Sequence, residues 1–362
     1  MTSPIAPTDP TNRRVMVAMS GGVDSSVAAA LLVEAGYEVV GVTLRLWGGE
    51  SDNGCCAVSD VEDARRVAQQ LDIDHHVFNL ADEFDRHVVA PYVDDHAEGR
   101  TPNPCIECNR HLKFDRLMSR ARALGFERVA TGHHAAVVTL DDGTRRLTRG
   151  ADTNKDQSYV LYMLGQEVLG RVMFPVGAMT KEQVRARASE LGLRTATKPD
   201  SQDVCFITST AGREGFLTQR VELHPGRMVD TSGAELGTVD AVELVTVGQR
   251  RGLGLSGAGE HRYAIDVDVS SRTVTIGTRR QLEVDTTTVR QLEWADRPVT
   301  GVLAVQASAH GTPVAAVVTA GEADEVVVRW DAPVRRIAPG QSVVFYESGP
   351  CGELVVGGGI AV

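Results

Sequence analysis

Two short strings carry most of the chemistry this chain could perform. The first, Ala18-Met19-Ser20-Gly21-Gly22-Val23-Asp24-Ser25-Ser26, joins the apolar run Val15 to Met19 to an alanine-rich run that begins at Asp24. A loop entering a helix offers unbonded backbone N–H groups and the positive end of the helix dipole, a combination suited to an anion. Gly21 and Gly22 let the backbone approach phosphate oxygens, and Ser20, Ser25 and Ser26 supply hydroxyl donors. Asp24 would repel a bare phosphate, so its expected task is to hold Mg2+ or to orient the groups around it. A capped helix after a tight turn would use the same residue types. The length of the string, its place at the first strand-to-helix junction and the missing lysine of a Walker loop favour a nucleotide.

The second string is Thr101-Pro102-Asn103-Pro104-Cys105-Ile106-Glu107-Cys108-Asn109, with a third cysteine downstream in Ser201-Gln202-Asp203-Val204-Cys205-Phe206. Proline can precede a helix but not continue inside one, so Pro104 places Cys108 near a helix N-terminus, where a thiolate is stabilised. Three spaced thiols fall one short of a structural zinc site. They could instead act as redox-active thiols, or Cys105, Cys108 and Cys205 could hold a [4Fe–4S] cluster with one open iron. Cys55, Cys56 and Cys351 lack comparable surroundings and read as ordinary cysteines.

The elements that must position these residues follow from periodicity. Strands are expected at Val15 to Met19, Tyr37 to Leu46, His75 to Leu80 and up to Gly132, alternating with helices over Asp24 to Ala35, Ala57 to Leu71, Phe84 to Ala97 and Lys181 to Leu191. A further helix is expected over Tyr159 to Leu164, and Asp142-Gly143 reads as the turn of a hairpin. Alternating strands and helices predict a Rossmann-like α/β domain on a parallel sheet. Beyond about residue 210 the pattern turns to short Val/Thr-rich alternating runs, which predict β-rich domains, the last a small barrel. The expected division is a floppy tail over 1–13, an α/β domain over 14–210, a central β-rich linker domain over 211–282 and a β-barrel over 283–362.

Composition narrows the function classes. A formal charge of −11 counts against a nonspecific nucleic-acid coat, although Arg110, His111, Lys113, Arg116, Arg120 and Arg122 form a local basic run. Arg145, Arg146, Arg149 and Lys155 follow soon afterwards. The opening segment has no apolar stretch of the kind an export signal needs, and no membrane span is expected, so the chain reads as cytoplasmic with reduced cysteines.

Taken together, the glycine-serine loop and the strings TPNPCIECNRHLKF, ATGHHA, KDQSYVLY, FPVG, SQDVCFI, GQRRGLG and PGQSVVFY resemble the bacterial tRNA-specific 2-thiouridylases, members of the PP-loop ATP pyrophosphatases, over nearly the whole chain after the tail. The resemblance implies a tRNA-uridine 2-sulfurtransferase that uses ATP and Mg2+ to thiolate the wobble uridine. It implies Cys108 as nucleophile and Cys205 as persulfide carrier, the pair closing to a disulfide as sulfur leaves, with a mobile segment around Ala196 to Thr208. ATP contacts carried over are Ala18, Met19, Ser20, Gly21, Gly22, Val23, Asp24, Ser25, Leu44 and Gly132. The tRNA anticodon stem-loop would meet Asn103, Pro104, Cys105, His133, Lys155, Asp156, Gln157 and Gln341. Arg250, Arg251, Arg335 and Arg336 are further candidate phosphate contacts. A cysteine desulfurase or sulfur relay protein is the implied donor.

Many relatives carry Asp where this chain has Cys105, which keeps the cluster alternative open beside the persulfide relay. Two competing readings are a PP-loop ligase that adenylates a small metabolite and a nucleotide-dependent RNA-binding protein.

Overall fold

The computed structural model describes residues 13–47, 58–200, 204–207, 212–255, 260–349 and 351–362. Cys55, Cys56, most of the N-terminal tail and Ser201 to Asp203 lie outside these. The chain divides into two compact units, one of residues 1–88, 105–209 and 349–356, the other of residues 89–104, 210–348 and 357–362.

The first unit is built on five parallel strands, β1 (Arg14–Ala18), β2 (Glu38–Arg45), β3 (Asp74–Asn79), β4 (Arg128–Ala130) and β7 (Val172–Met173), in the order β3-β2-β1-β4-β7. Helix α1 (Val23–Glu34) is buried around most of its circumference, because Ala28, Ala29 and Ala30 let neighbouring backbones approach closely. Gly36, at φ +84°, ends it in the left-handed conformation that a Cβ would oppose. Helices α1, α2 (Val58–Gln70) and α8 (Lys181–Glu190) share one core with β1 and β2, lined by Val15, Val17, Val27, Val67, Val184 and Ala188. Strand order reverses between β1 and β4, and in parallel sheets ligands bind outside the carboxyl ends of strands at such a reversal. The glycine-serine loop leaves β1 at that point. The hairpin β5 (Ala135–Thr139) and β6 (Arg145–Arg149) forms as expected, with Gly143 at φ +84° in its turn.

Two expected helices differ in form. Phe84 to Ala97 is an α turn, α3 (Ala81–Phe84), then a π-helical turn, Asp85–Val89, then α4 (Ala90–Ala97). Pro91 has no N–H to give the preceding turn, and the wider π turn absorbs the missing bond. Ser158–Leu161 is 3-10 rather than α, since Asp156 takes the Ser158 N–H and hydroxyl.

In the second unit β8 (Gly226–Asp230), β9 (Glu235–Val239), β10 (Arg262–Asp268) and β11 (Thr273–Thr278) form a four-stranded sheet around Met228, Val242, Ala264, Val274 and Ile276. Strands β12 (Glu283–Trp294), β13 (Gly301–Gln306), β14 (Val314–Ala320), β15 (Val326–Arg335), β16 (Ser342–Gly349) and β17 (Gly352–Ala361) close into a six-stranded barrel through the β12–β17 pairing. The interior follows the two-residue period: Val326, Val328 and Trp330 point in and their neighbours out. The segment Val89–Pro104 packs in this unit, where Tyr92 meets Phe216 edge-on at 6.2 Å and the Thr101 N–H donates to Pro339 O at 2.7 Å.

Candidate active site

The loop after β1 is folded back on its own helix. Ser26 Oγ donates to Gly22 O at 2.8 Å, Ser25 Oγ to the same carbonyl at 3.2 Å, and the Ser20 N–H to Ser25 Oγ at 3.2 Å. Gly21 needs to be glycine twice over: its φ is +71°, and a Cβ would stand 2.2 Å from Asp60 O. Gly132, beyond the end of β4, lies so close to the start of α1 that a Cβ would meet Ser25 N at 2.6 Å. The first-turn N–H groups of α1 are those a helix leaves without internal partners, and here they open on the sheet's switch point. Met19 and Leu44 are buried beneath and beside the loop.

Asp24 does not stand alone. Lys181 Nζ reaches Asp24 Oδ1 at 2.8 Å and Oδ2 at 2.7 Å, and His134 Nε2 lies 3.1 Å from Oδ1. Burial pushes the Asp24 carboxyl up, but the hydrogen bonds from His134 and Lys181 outweigh it and hold the group below the ordinary range. Lys181 is the first residue of α8, capped by the Thr180–Gln183 box. A cation at a helix N-terminus opposes the dipole, so its placement is set by its partners rather than by the helix. Its other partner is Asp200 Oδ1 at 2.9 Å, while Asp152 caps the backbone through the Lys181 N–H at 2.9 Å.

The cysteine element starts with Pro104 at the first position of α5 (Pro104–Glu107) and widens into a π-helix over Cys108–Arg116, continued by α6 (Leu117–Ala123). Pro104, Ile106, Cys108 and Asn109 face inward, and Cys105 is half-buried. The expected position of Cys108, within the first turns of a helix, is the observed one. Asn109 Nδ2 donates to Val160 O at 2.9 Å and fixes the π turn from one side. Cys205 is half-buried in the turn Val204–Ile207, and its neighbour Phe206 is buried against Phe84 and Trp47, with ring centroids 5.6 and 6.2 Å apart. Among the described residues no three Cys, His, Asp or Glu side chains are grouped to hold a metal ion.

The residues expected at tRNA have unequal surroundings. Lys155 is outward, with Nζ on Asp200 Oδ2 at 2.8 Å. Asp156 is 6% exposed and takes bonds from Arg149 Nη1, Gly150 N and Ser158, while Gln157 Oε1 accepts the His134 N–H at 2.9 Å. These two shape the backbone from inside. His133 is 8% exposed, bonded to Thr131 Oγ1 at 2.7 Å and packed between Phe114 and Phe174, and burial above all lowers its proton affinity well below that of a free imidazole. Of the expected RNA contacts His133 has little surface to offer. In the second unit Gln341 Nε2 donates to Thr101 O, so it braces the loop that carries Asn103 and Pro104.

The basic run is partly neutralised. Glu107 pairs with Arg110 and His111, each at 3.3 Å, Arg120 faces Glu83 at 3.8 Å, and Arg122 pairs with Glu167. Arg335 donates to Gly248 O, and Arg336 to Ile265 O at 3.1 Å. Arg250 and Arg251 are exposed. No described helix is long and apolar enough to cross a membrane.

Sequence reasoning missed Lys181, His134, Asp200 and Lys198. His134 lay inside the quoted ATGHHA string, and Lys181 could have been flagged as a lysine opening a capped helix, against the dipole.

Three family models match in succession: a tRNA methyl transferase HUP domain over residues 13–209, a tRNA methyl transferase PRC-barrel domain over 214–278 and an aminomethyltransferase beta-barrel domain over 284–361. Among curated relatives, the tRNA-specific 2-thiouridylase MnmA of Roseiflexus castenholzii is 44% identical, the alignment covering 96% of this chain and 98% of that protein. Those of Chloroflexus aggregans and Mycobacteroides abscessus are each 45% identical, covering 95% and 96% of this chain and 97% and 99% of their own. On this near-complete match, the chain belongs to the tRNA-specific 2-thiouridylase family.

Proposed function

We propose that the protein is a tRNA-uridine 2-sulfurtransferase that thiolates C2 of the wobble uridine at the expense of ATP. The observation that carries this reading is one unit holding both an anion loop at the switch point of a parallel sheet and the thiols of Cys108 and Cys205. The loop and the first turn of α1 cradle the phosphates, and Asp24 would hold the accompanying Mg2+, which would offset the charge of the phosphates. The uridine O2 attacks the α-phosphorus and pyrophosphate leaves, which converts a poor leaving oxygen into AMP. The terminal sulfur of a persulfide on Cys205 attacks C2 and expels AMP. The Cys108 thiolate then attacks Cys205 Sγ, which frees 2-thiouridine and leaves a Cys108–Cys205 disulfide for an external thiol reductant to reset. The target base must leave the anticodon stack to reach these groups. Lys155, Asn103 and Cys105 supply contacts to the anticodon stem-loop, Asp156, Gln157 and Gln341 hold those contacts in place, and His133 backs the pocket wall. A cysteine desulfurase or relay protein charges Cys205, and the reaction runs in the cytoplasm.

Unmodified tRNA incubated with the reduced protein, Mg-ATP and a persulfide donor should yield 2-thiouridine and AMP by nucleoside mass spectrometry. Cys108→Ser and Cys205→Ser should each abolish the thiolated nucleoside. Product formed by Cys205→Ser would sink the persulfide route, and AMP formation without thiolated nucleoside in the wild type would favour the ligase reading.

A further inference from the structure

The two histidines of Ala130-Thr131-Gly132-His133-His134 are both buried, yet they turn to different neighbours. His133 packs between Phe114 and Phe174, whereas His134, 3% exposed, brings Nε2 to 3.1 Å from Asp24 Oδ1. An ionised carboxylate only accepts, which assigns a hydrogen to Nε2. Among the described residues Nδ1 has no hydrogen-bond partner, so the one hydrogen bond of this buried ring is spent on Asp24. The backbone of His134 is clamped as well. Gln157 Oε1 accepts the His134 N–H, and the Gln157 N–H donates to His134 O, each at 2.9 Å. Gly150 lies so close that a Cβ there would stand 2.6 Å from His134 O.

Asp24 thus has two partners of different kinds. Lys181 lies on a flexible four-carbon stem and divides its ammonium between Asp24, at 2.7 and 2.8 Å, and Asp200, at 2.9 Å. His134 has a short, rigid side chain, both backbone groups bonded, and a ring engaged with Asp24 alone. A carboxylate can turn about its own side-chain bonds, and only a donor that is itself fixed can set its plane. Lys181 supplies charge to Asp24, and His134 supplies direction.

We propose that His134 is a positioning residue for the activation step, its Nε2–H fixing the plane of the Asp24 carboxylate for its task at the nucleotide phosphates. This rests on reading the loop after β1 as the ATP site. The loop N–H groups, and not Asp24, grip the phosphates, so losing the ring should slow transfer to the uridine oxygen rather than release the nucleotide. Only an N–H directed at Oδ1 is needed, and Nδ1 takes no part. A glutamine amide, which donates but does not titrate, should therefore replace the ring, and this separates orientation from acid–base catalysis.

The test compares wild type, His134→Gln and His134→Leu in the full-length protein by two measurements. One is kcat for AMP formation with unmodified tRNA, Mg-ATP and a persulfide donor; the other is the Kd of Mg-α,β-methylene-ATP by titration calorimetry. His134→Leu should lower kcat about 10- to 100-fold, the usual cost of losing a group that orients another, and leave Kd near the wild-type value. His134→Gln should recover most of that loss. In an Asp24→Ala background the leucine exchange should have no further effect on AMP formation, because the ring acts only through that carboxylate, whereas a loss of packing would be felt there equally. A folded His134→Leu protein with wild-type kcat overturns the proposal, as does a His134→Gln protein as slow as His134→Leu, a leucine effect undiminished in Asp24→Ala, or a weakened Kd with kcat intact. If His134→Leu does not fold, His134→Gln against wild type decides, and a loss of about tenfold or more in its kcat overturns the proposal. A wild type that binds no nucleotide, or forms no AMP with tRNA, defeats the ATP reading itself, a failure visible before any variant is compared.

Discussion

Asp24 and Cys108 both stand within the first turns of a helix that follows a glycine or proline turn, yet the protein holds them by different means. Asp24 is fixed by charge drawn from far along the chain, Lys181 lying 157 residues away and His134 110. The helix that carries Cys108 is held by its buried residues Ile106, Asn109 and Leu112 and by the Asn109 amide on Val160 O, and Glu107 beside it pairs with Arg110 and His111. A charge-tied residue responds to whatever ion arrives beside it, while a packed one keeps its place. That contrast suits the roles proposed for them, a loop that receives and releases a polyanion and a thiolate that attacks from a fixed position.

The largest effect that can break this comparison is at Asp24. Asp24→Asn should lower AMP and pyrophosphate formation by about a hundredfold or more, the cost of losing one preorganised electrostatic group. A loss below tenfold in a pyrophosphate-release assay would mean the network is structural only. Next is Asn109→Ala, which removes the buried Asn109 amide from the half-buried Val160 carbonyl and should cost about 1–3 kcal/mol in urea unfolding. Nucleotide affinity by titration calorimetry should stay unchanged, and an equal fall in both would erase the distinction between the two regions. The smallest effect is at Glu107→Gln, where two half-exposed ion pairs are lost; the unfolding free energy should move by less than about 1 kcal/mol. A larger shift would show that Cys108, too, is held by charge.

The strands and helices of the first unit were legible because their signals are local. Val15 to Val17 is a short apolar run, Ala28 to Ala30 is compact helix, and Gly36 ends it at a positive φ. The barrel could be read from two-residue alternation in β15 and from Ser342 to Tyr346. The π turns at Asp85–Val89 and Cys108–Arg116 were not, since a π turn spends the same apolar residues as an α turn and differs in which carbonyl accepts. The placement of Val89–Pro104 with the second unit was also hidden, because its bonds go to Pro339 and Gln341, more than two hundred residues on.

By itself, the sequence determined the loop after β1, the thiols of Cys105, Cys108 and Cys205, and the family they belong to, because each is written in adjacent residues with a fixed local geometry. Only the tertiary structure decided that Asp24 answers to Lys181, that Lys198 reaches the Gly21 carbonyl and Asp200 the Lys181 ammonium, and that Asp156 and His133 face inward. Ion pairs and burial depend on which distant side chains the fold brings within about 3 Å, a distance that spacing along a chain does not encode.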